Sequence, residues 1–238
     1  KQREVVELAR AIAQEEIKVA SLIIDKNGIV PDSLMNILKQ SGMTQLAIPK
    51  EYGGAGLDIL TVAMVAEQLA MGCAGIATIC AANALATFPV LQAGNEEQKN
   101  IWCNCLNEGG MAAFALTEPG AGSDAGAVSC QAKKVDDGYL ISGNKSFITN
   151  GPIADKIALF ANTRQEGGIR GLTLFMVDAK AKGVSIGKKE DKMGIRASST
   201  SEIIFEDCFV PDSQRIGREG RGFKIAMQTL QTSRPVVG

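Results

Sequence analysis

Two stretches of the chain carry residue types that a binding or catalytic site needs. In LTEPGAGSDAGAV, Leu116 to Val128, Gly120, Gly122 and Ala125 match the dinucleotide fingerprint G-x-G-x-x-A. That fingerprint works between a strand and a helix, whose first amides hold a pyrophosphate. Here a strand-like run follows instead, and the segment around Lys145 stands where an acidic residue is expected about twenty positions on, so the pattern does not support a Rossmann unit. A glycine-rich turn between strands still offers successive N–H groups to an anion, and Thr117 and Ser123 add hydroxyls able to bond a ring carbonyl or a phosphate oxygen. A tight turn capped by its own Ser and Asp uses the same residues equally well. In SGNKSFITNGPIAD, Ser142 to Asp155, Phe147 and Thr149 stand two apart and so share one face of a strand. A flat ligand has room there; a strand whose inward face merely includes Phe and Thr is the alternative.

What the chain lacks narrows the chemistry. It has no His among 238 residues. Ser-His-Asp and Cys-His catalysis and His-ligated metals are therefore excluded within it, leaving carboxylates, Lys, Tyr, Cys or a bound cofactor. Cys73, Cys80, Cys103, Cys105, Cys130 and Cys208 are spread through apolar segments and read as reduced, intracellular thiols. The C-x-C of Cys103 and Cys105 has no second pair at metal-ligand spacing and reads as helix packing; no metal site is expected. With 25 basic against 26 acidic residues, the net charge of -1 gives no reason to expect nucleic acid or anionic lipid as partners. The opening KQREVVELARA shows no signal peptide, and the longest apolar stretch, Ala74 to Ala93, is interrupted by Asn83, Pro89 and Gln92, so no membrane span is expected.

These stretches must be positioned by two kinds of element. Up to about Gly110 the apolar residues recur at helical spacing: Val5, Leu8, Ala9, Ile12, Ala13 and Ile17 form one stripe, and Pro31 starts a second helix that stops at Gly42. EYGGAGLD, Glu51 to Asp58, is too glycine-rich to be regular and reads as a loop. Helices follow over Asp58 to Gly72 and Ile76 to Ala93, the latter bent at Pro89, and another begins at Glu96 and Glu97. After Gly110 the period falls to two and the runs become β-branched, with Asp137-Gly138 as the hairpin signal and Gly167-Gly168 as another turn. From Gly220 the helical period returns through Phe223, Ile225, Ala226, Met227 and Leu230. The expected fold class is α+β: an all-α domain over 1–110, an antiparallel, barrel-like β domain over 111–217, and over 218–238 the first helix of a further helical domain that the sequence does not include.

ALTEPGAGSD followed by ISGNKSFITNGPIAD resembles the paired signatures of the acyl-CoA dehydrogenase flavoprotein family. EYGGAGLD, KMGIRASSTSEIIFEDCFVP and IGREGRGFKIAMQTLQTSRPVVG agree with it in order, over nearly the whole chain. The resemblance implies FAD held between the β and C-terminal domains, with an acyl-CoA thioester beside its ring. Carried over residue by residue, Phe114, Leu116 and Thr117 stand where the family contacts the isoalloxazine. Gly122 and Ser123 match positions near the FAD phosphates and the CoA chain, Phe147 replaces a common Trp beside the flavin, and Thr149 matches a hydroxyl near the hydride-accepting nitrogen. Thr78 and Ala81 resemble residues of the helix bordering the acyl cavity, and Arg234 matches an Arg close to the active site.

The chemistry implied is removal of an α-proton by a carboxylate with transfer of a β-hydride to FAD, the electrons passing on to an electron-transfer flavoprotein. The family's base is a Glu, in most members deep in the C-terminal domain and in some just before the Arg matched by Arg234. Ser233 stands at that second place, so the base is expected beyond Gly238 and the 238 residues alone are expected not to turn over. Two other classes remain open: an enoyl-CoA reductase or acyl-CoA oxidase on the same fold, and a flavin-free scaffold. The resemblance further implies a homotetramer located in bacterial cytoplasm or the mitochondrial matrix.

Overall fold

A computed structural model describes residues 2–164 and 166–238; Lys1, with which the first expected helical run opens, lies outside the described residues. Helix α1 (Gln2–Ile12) buries Val6, Ala9 and Ile12, then passes through a π-helical turn (Ala13–Ile17) into α2 (Lys18–Asn27). The helix thus runs past the expected stripe. Only Ile24 of α2 is buried while Val19, Leu22 and Ile23 are exposed, so its inward face is one residue wide and no periodicity marks it. Pro31 is extended and immediately precedes α3 (Asp32–Gln40). After an open loop come α4 (Ile59–Gly72), capped by the Asp58 carboxylate accepting from Thr61 N at 2.8 Å, α5 (Ala74–Ala93), and α6 (Glu96–Asn107), opened by a reciprocal Asn95–Gln98 capping box. Helix α5 is long and apolar enough to cross a membrane by composition, but 67% of its most apolar window is buried inside the fold, as befits a core helix.

The remainder is one eight-stranded sheet with a helix returning at its end. Its strands are β1 (Ala112–Ala115), β2 (Gln131–Val135), β3 (Gly138–Thr149), β4 (Lys156–Asn162), β5 (Leu172–Asp178), β6 (Val184–Lys189), β7 (Thr200–Pro211) and β8 (Arg215–Ile216). They are ordered β6-β7-β3-β2-β4-β5-β8, with β1 added alongside β4. Pairing is antiparallel except where β1 and the start of β2 run parallel to β4. Helix α7 (Gly222–Val237) then packs back on α4 and α5. Helices, antiparallel sheet, helix is the order expected from the change of period.

The hairpin signal falls one residue off. Val135 pairs with Gly138, so the two-residue turn is Asp136-Asp137, neither of which has positive φ. Gly138 belongs to β3, where a side chain would strike the Val210 carbonyl of β7; it is needed for close approach, not for the turn.

One polar junction locks helices to sheet. Asn83, wholly buried at the middle of α5, donates to Thr44 O at 3.1 Å and accepts from Ala112 N at 2.7 Å, where β1 begins. Asn150, just beyond β3 with φ 64°, donates to Ile79 O at 3.0 Å and reaches Asn83 Oδ1 and Ala112 O. Each buried amide therefore closes a gap that secondary structure leaves open. Replacing Asn83 with Ala strands the Thr44 carbonyl, the Ala112 amide and part of the Asn150 amide. The expected loss is about 2 to 4 kcal/mol, read from urea unfolding midpoints; a change below measurement error removes this junction from the account.

Candidate functional site

The glycine-rich turn and the Phe147 strand are brought together by a buried ion pair. Lys145 Nζ lies 2.7 Å from Glu118 Oε1, with side-chain exposures of 0% and 2%. The same ammonium donates to Leu116 O at 3.0 Å. Glu118 also accepts from Ser129 N at 2.7 Å, Ser129 Oγ at 2.6 Å and Cys130 N at 3.0 Å, so one carboxylate holds the turn, the start of β2 and the middle of β3. Burial by itself would raise the Glu118 carboxyl, but the Lys145 charge and the Ser129 donors outweigh it and hold it below the usual carboxylate range. Burial pulls the Lys145 ammonium below its ordinary value in spite of its partner.

This anchoring shapes the surface beyond it. The β3–β7 register slips between Lys145 and Ile148, and inside that bulge Phe147 adopts φ 57° and is 65% exposed. Ser146 N donates to Thr117 O at 2.9 Å, which sets the bulge beside the turn. A trans peptide points its C=O and N–H in opposite directions. With Leu116 O held by Lys145, the Thr117 N–H is aimed away from the buried ammonium, and neither it nor the Thr117 hydroxyl has a partner among the described residues. Phe114, half-buried on β1, packs on Phe160 with ring centroids 5.1 Å apart. Gly122 and Ser123 are exposed, and a side chain placed at Gly120 or Gly122 would meet nothing within 4 Å.

Beside Phe147 along β3, Thr149 opens into a second feature. It lines a mostly apolar cavity of about 130 Å³ with Thr78, Ala81, Leu85 and Phe88 of α5 and Ser233 and Val236 of α7. Thr78 Oγ1 donates to Ala74 O at 2.8 Å and Ser233 Oγ to Leu230 O at 3.2 Å, so these two hydroxyls are turned back onto their own helices. No Asp or Glu lines this cavity.

The structure therefore brings Leu116, Thr117 and Phe147 together around the ion pair, and Thr149 with Thr78 and Ala81 in the cavity. Gly122 and Ser123 lie on the exposed turn, and Arg234 is exposed on α7 outside the cavity lining. The strand face expected to carry Phe147 and Thr149 together is interrupted: a left-handed bulge presents the Phe147 ring, and Thr149 lines the cavity without it. Glu118 and Lys145 were not singled out from sequence. The signal was there: Tyr139, Ile141 and Gly143 alternate inward along β3, and the same parity assigns Lys145 to the interior, where a lone ammonium requires a carboxylate.

Models of the acyl-CoA dehydrogenase N-terminal domain and middle domain match residues 1–110 and 113–208. The chain belongs to the acyl-CoA dehydrogenase family. It is 39% identical to the mitochondrial short-chain specific acyl-CoA dehydrogenase of Rattus norvegicus, over 94% of this chain and 55% of that protein. It is 43% identical to the 3-(aryl)acrylate reductase of Clostridium sporogenes, over 95% of this chain and 61% of that one. Butyryl-CoA dehydrogenase from Megasphaera elsdenii superposes with a TM-score of 0.93 at 37% identity, covering 98% of this chain and 62% of the other. The chain thus spans little more than half the length of these proteins.

Glu118 gives the fold an acid dependence. Its folded pKa is depressed below the ordinary 4.5, so its contribution is fully present above that value and is lost as pH falls through the folded value. Glu118→Gln should flatten this acid limb while costing about 3 to 5 kcal/mol near neutrality, because Lys145 is left buried and unpaired. Thermal melts of both proteins from neutral pH into acid check it; parallel acid limbs would contradict the assignment.

Proposed function

We propose that the chain forms the helical and sheet portions of an FAD-dependent acyl-CoA dehydrogenase acting on short acyl groups. The observation that carries the reading is the exposed Phe147, held next to the hydrogen bond from Ser146 N to Thr117 O, with the apolar cavity of Thr149 two residues on. A large aromatic held exposed in left-handed backbone costs about 1 to 3 kcal/mol and gains nothing internally. Gly120 and Gly122 likewise have no packing reason to be glycine, which suits close approach by a bound group.

The residues fit a flavin. Thr117 offers an N–H and a hydroxyl to the polar edge of the ring system, Phe147 an aromatic surface to its face, and Gly122 and Ser123 open backbone and a hydroxyl for phosphates. FAD, when bound, supplies the acceptor for a hydride leaving the β-carbon of the thioester. The cavity takes the acyl chain, and water that the chain displaces no longer weakens the polar contacts made to the reacting end. Its lining of Ala81, Leu85, Phe88 and Val236 is apolar, as an acyl chain requires. With no carboxylate in the lining, the base that removes the α-proton comes from outside the residues lining this cavity, and electrons leave to an electron-transfer flavoprotein.

A second reading, reduction of an enoyl or arylacryloyl thioester, is favoured by the similarity to an acrylate reductase. The whole protein should show a visible flavin absorption band and bleach it on adding butyryl-CoA. Absence of the band ends the flavin reading; faster turnover of the enoyl thioester with a reductant than of butyryl-CoA with an electron-transfer flavoprotein selects the second. The cavity makes its own prediction. Phe88→Ala enlarges it, and kcat/KM for hexanoyl-CoA relative to butyryl-CoA should rise about tenfold or more, since each methylene accommodated is worth about 1 to 3 kcal/mol. An unchanged ratio places the acyl chain elsewhere.

A further inference from the structure

We infer that Lys145 and Glu118 are positioning residues for the cofactor, an assignment that rests on the flavin reading above: the pair aims the Leu116–Thr117 peptide so that the Thr117 N–H and hydroxyl face the ring's polar edge. Burying two ions is a poor way to stabilise a fold, since the cost of removing both from water offsets their attraction and an apolar pair of similar volume does as well or better. Here both charges are essentially fully buried. What the ions accomplish, and an apolar pair would not, is direction. The ammonium at 3.0 Å from Leu116 O fixes the plane of the peptide that carries the Thr117 N–H. The carboxylate, through Ser129 and Cys130, fixes the turn's far end to β2. Ser146, the residue after Lys145, holds Thr117 O from the other side at 2.9 Å. Neither Lys145 nor Glu118 has exposed surface with which to touch a ligand, so they act through Thr117 and Phe147.

The test uses the whole protein and the variants Lys145→Met, Glu118→Gln, the double variant and Glu118→Asp. Three quantities are read: the melting temperature of the apoprotein, FAD affinity by titration, and the position of the bound flavin's visible band. The single charge removals should melt far below the parent. The double variant, with no unpaired charge, should regain most of that loss yet bind FAD about tenfold or more weakly and with a shifted band. Glu118→Asp keeps both charges but draws the carboxylate back by one methylene; it should melt between the parent and the single charge removals and also bind FAD more weakly with a shifted band. Parental affinity together with a parental spectrum in either the double variant or Glu118→Asp overturns the assignment and leaves the pair purely structural. If the parent itself does not take up FAD, the flavin reading falls before the variants are compared.

Discussion

An ammonium and a carboxylate 2.7 Å apart, both out of water, are the constraint around which this site is arranged. Neither ion tolerates loss of the other, because an unpaired charge at that depth has no solvent to fall back on. The glycine-rich turn, the entry to β2 and the bulge of β3 therefore move as one unit. A loop rich in Gly and Ser would otherwise be the most mobile stretch of the sheet. Instead, four donors converge on the Glu118 carboxylate, and rigidity is concentrated directly beneath the residues that stay exposed.

The same logic of shared elements joins the two halves. Helix α5 contributes Asn83 to the junction with β1 and Asn150, and its Thr78–Phe88 side to the cavity. On its flank, the segment before β7 is stapled to the end of α2: Arg196 Nε donates to Asp25 O at 2.9 Å and Lys189 Nζ to Gly28 O at 3.3 Å, cations placed where a helix ends in unpaired carbonyls. Ala197 is then buried against Gly75 of α5, where any side chain would collide. Residues of the sheet half thus complete the helical core, and a cavity floored by α5 and edged by β3 keeps its shape only while these ties hold.

Much of this was legible in the sequence, for identifiable reasons. The shift from helical to two-residue periodicity near Gly110 is a burial pattern, and burial patterns survive in sequence because each side chain's polarity records its face. Pro31, Asp58 and Asn95 mark helix starts by local chemistry that needs no tertiary partner. What escaped depends on partners far along the chain. Gly138 advertises a turn but serves β7, seventy residues later in sequence, and the turn falls on two aspartates instead. The outer face of α2 carries no stripe, so its length was hidden. Lys145 lies at an inward parity position, yet only the fold shows that Glu118 waits there. Thr149 and Thr78 share a cavity because α5 crosses β3, a fact no spacing encodes.

Strained backbone separates the candidate site from the rest. Four non-glycine residues, Phe147, Asn150, Ile195 and Asp207, have positive φ among the described residues. Three of them have internal reasons. Asn150 spends its amide on the junction between helices and sheet. Ile195 precedes Arg196, whose bonds to Asp25, Asp191 and the Lys192 carbonyl hold that loop closed, and Ile195 O itself accepts from Ser198 N. Asp207 exchanges two hydrogen bonds with Ser142 across the bulged pair. Phe147 is the one aromatic among them, and it turns outward at 65% exposure against 48% for Ile195. Its neighbours on both sides are buried, so the strain is not a failure of local packing; it is the geometric cost of carrying one aromatic ring from the interior parity of β3 to the surface beside Thr117. Strain that returns nothing to the chain that bears it is expected where the return comes from a bound partner, and a planar ring system with a polar edge is the partner proposed for it here.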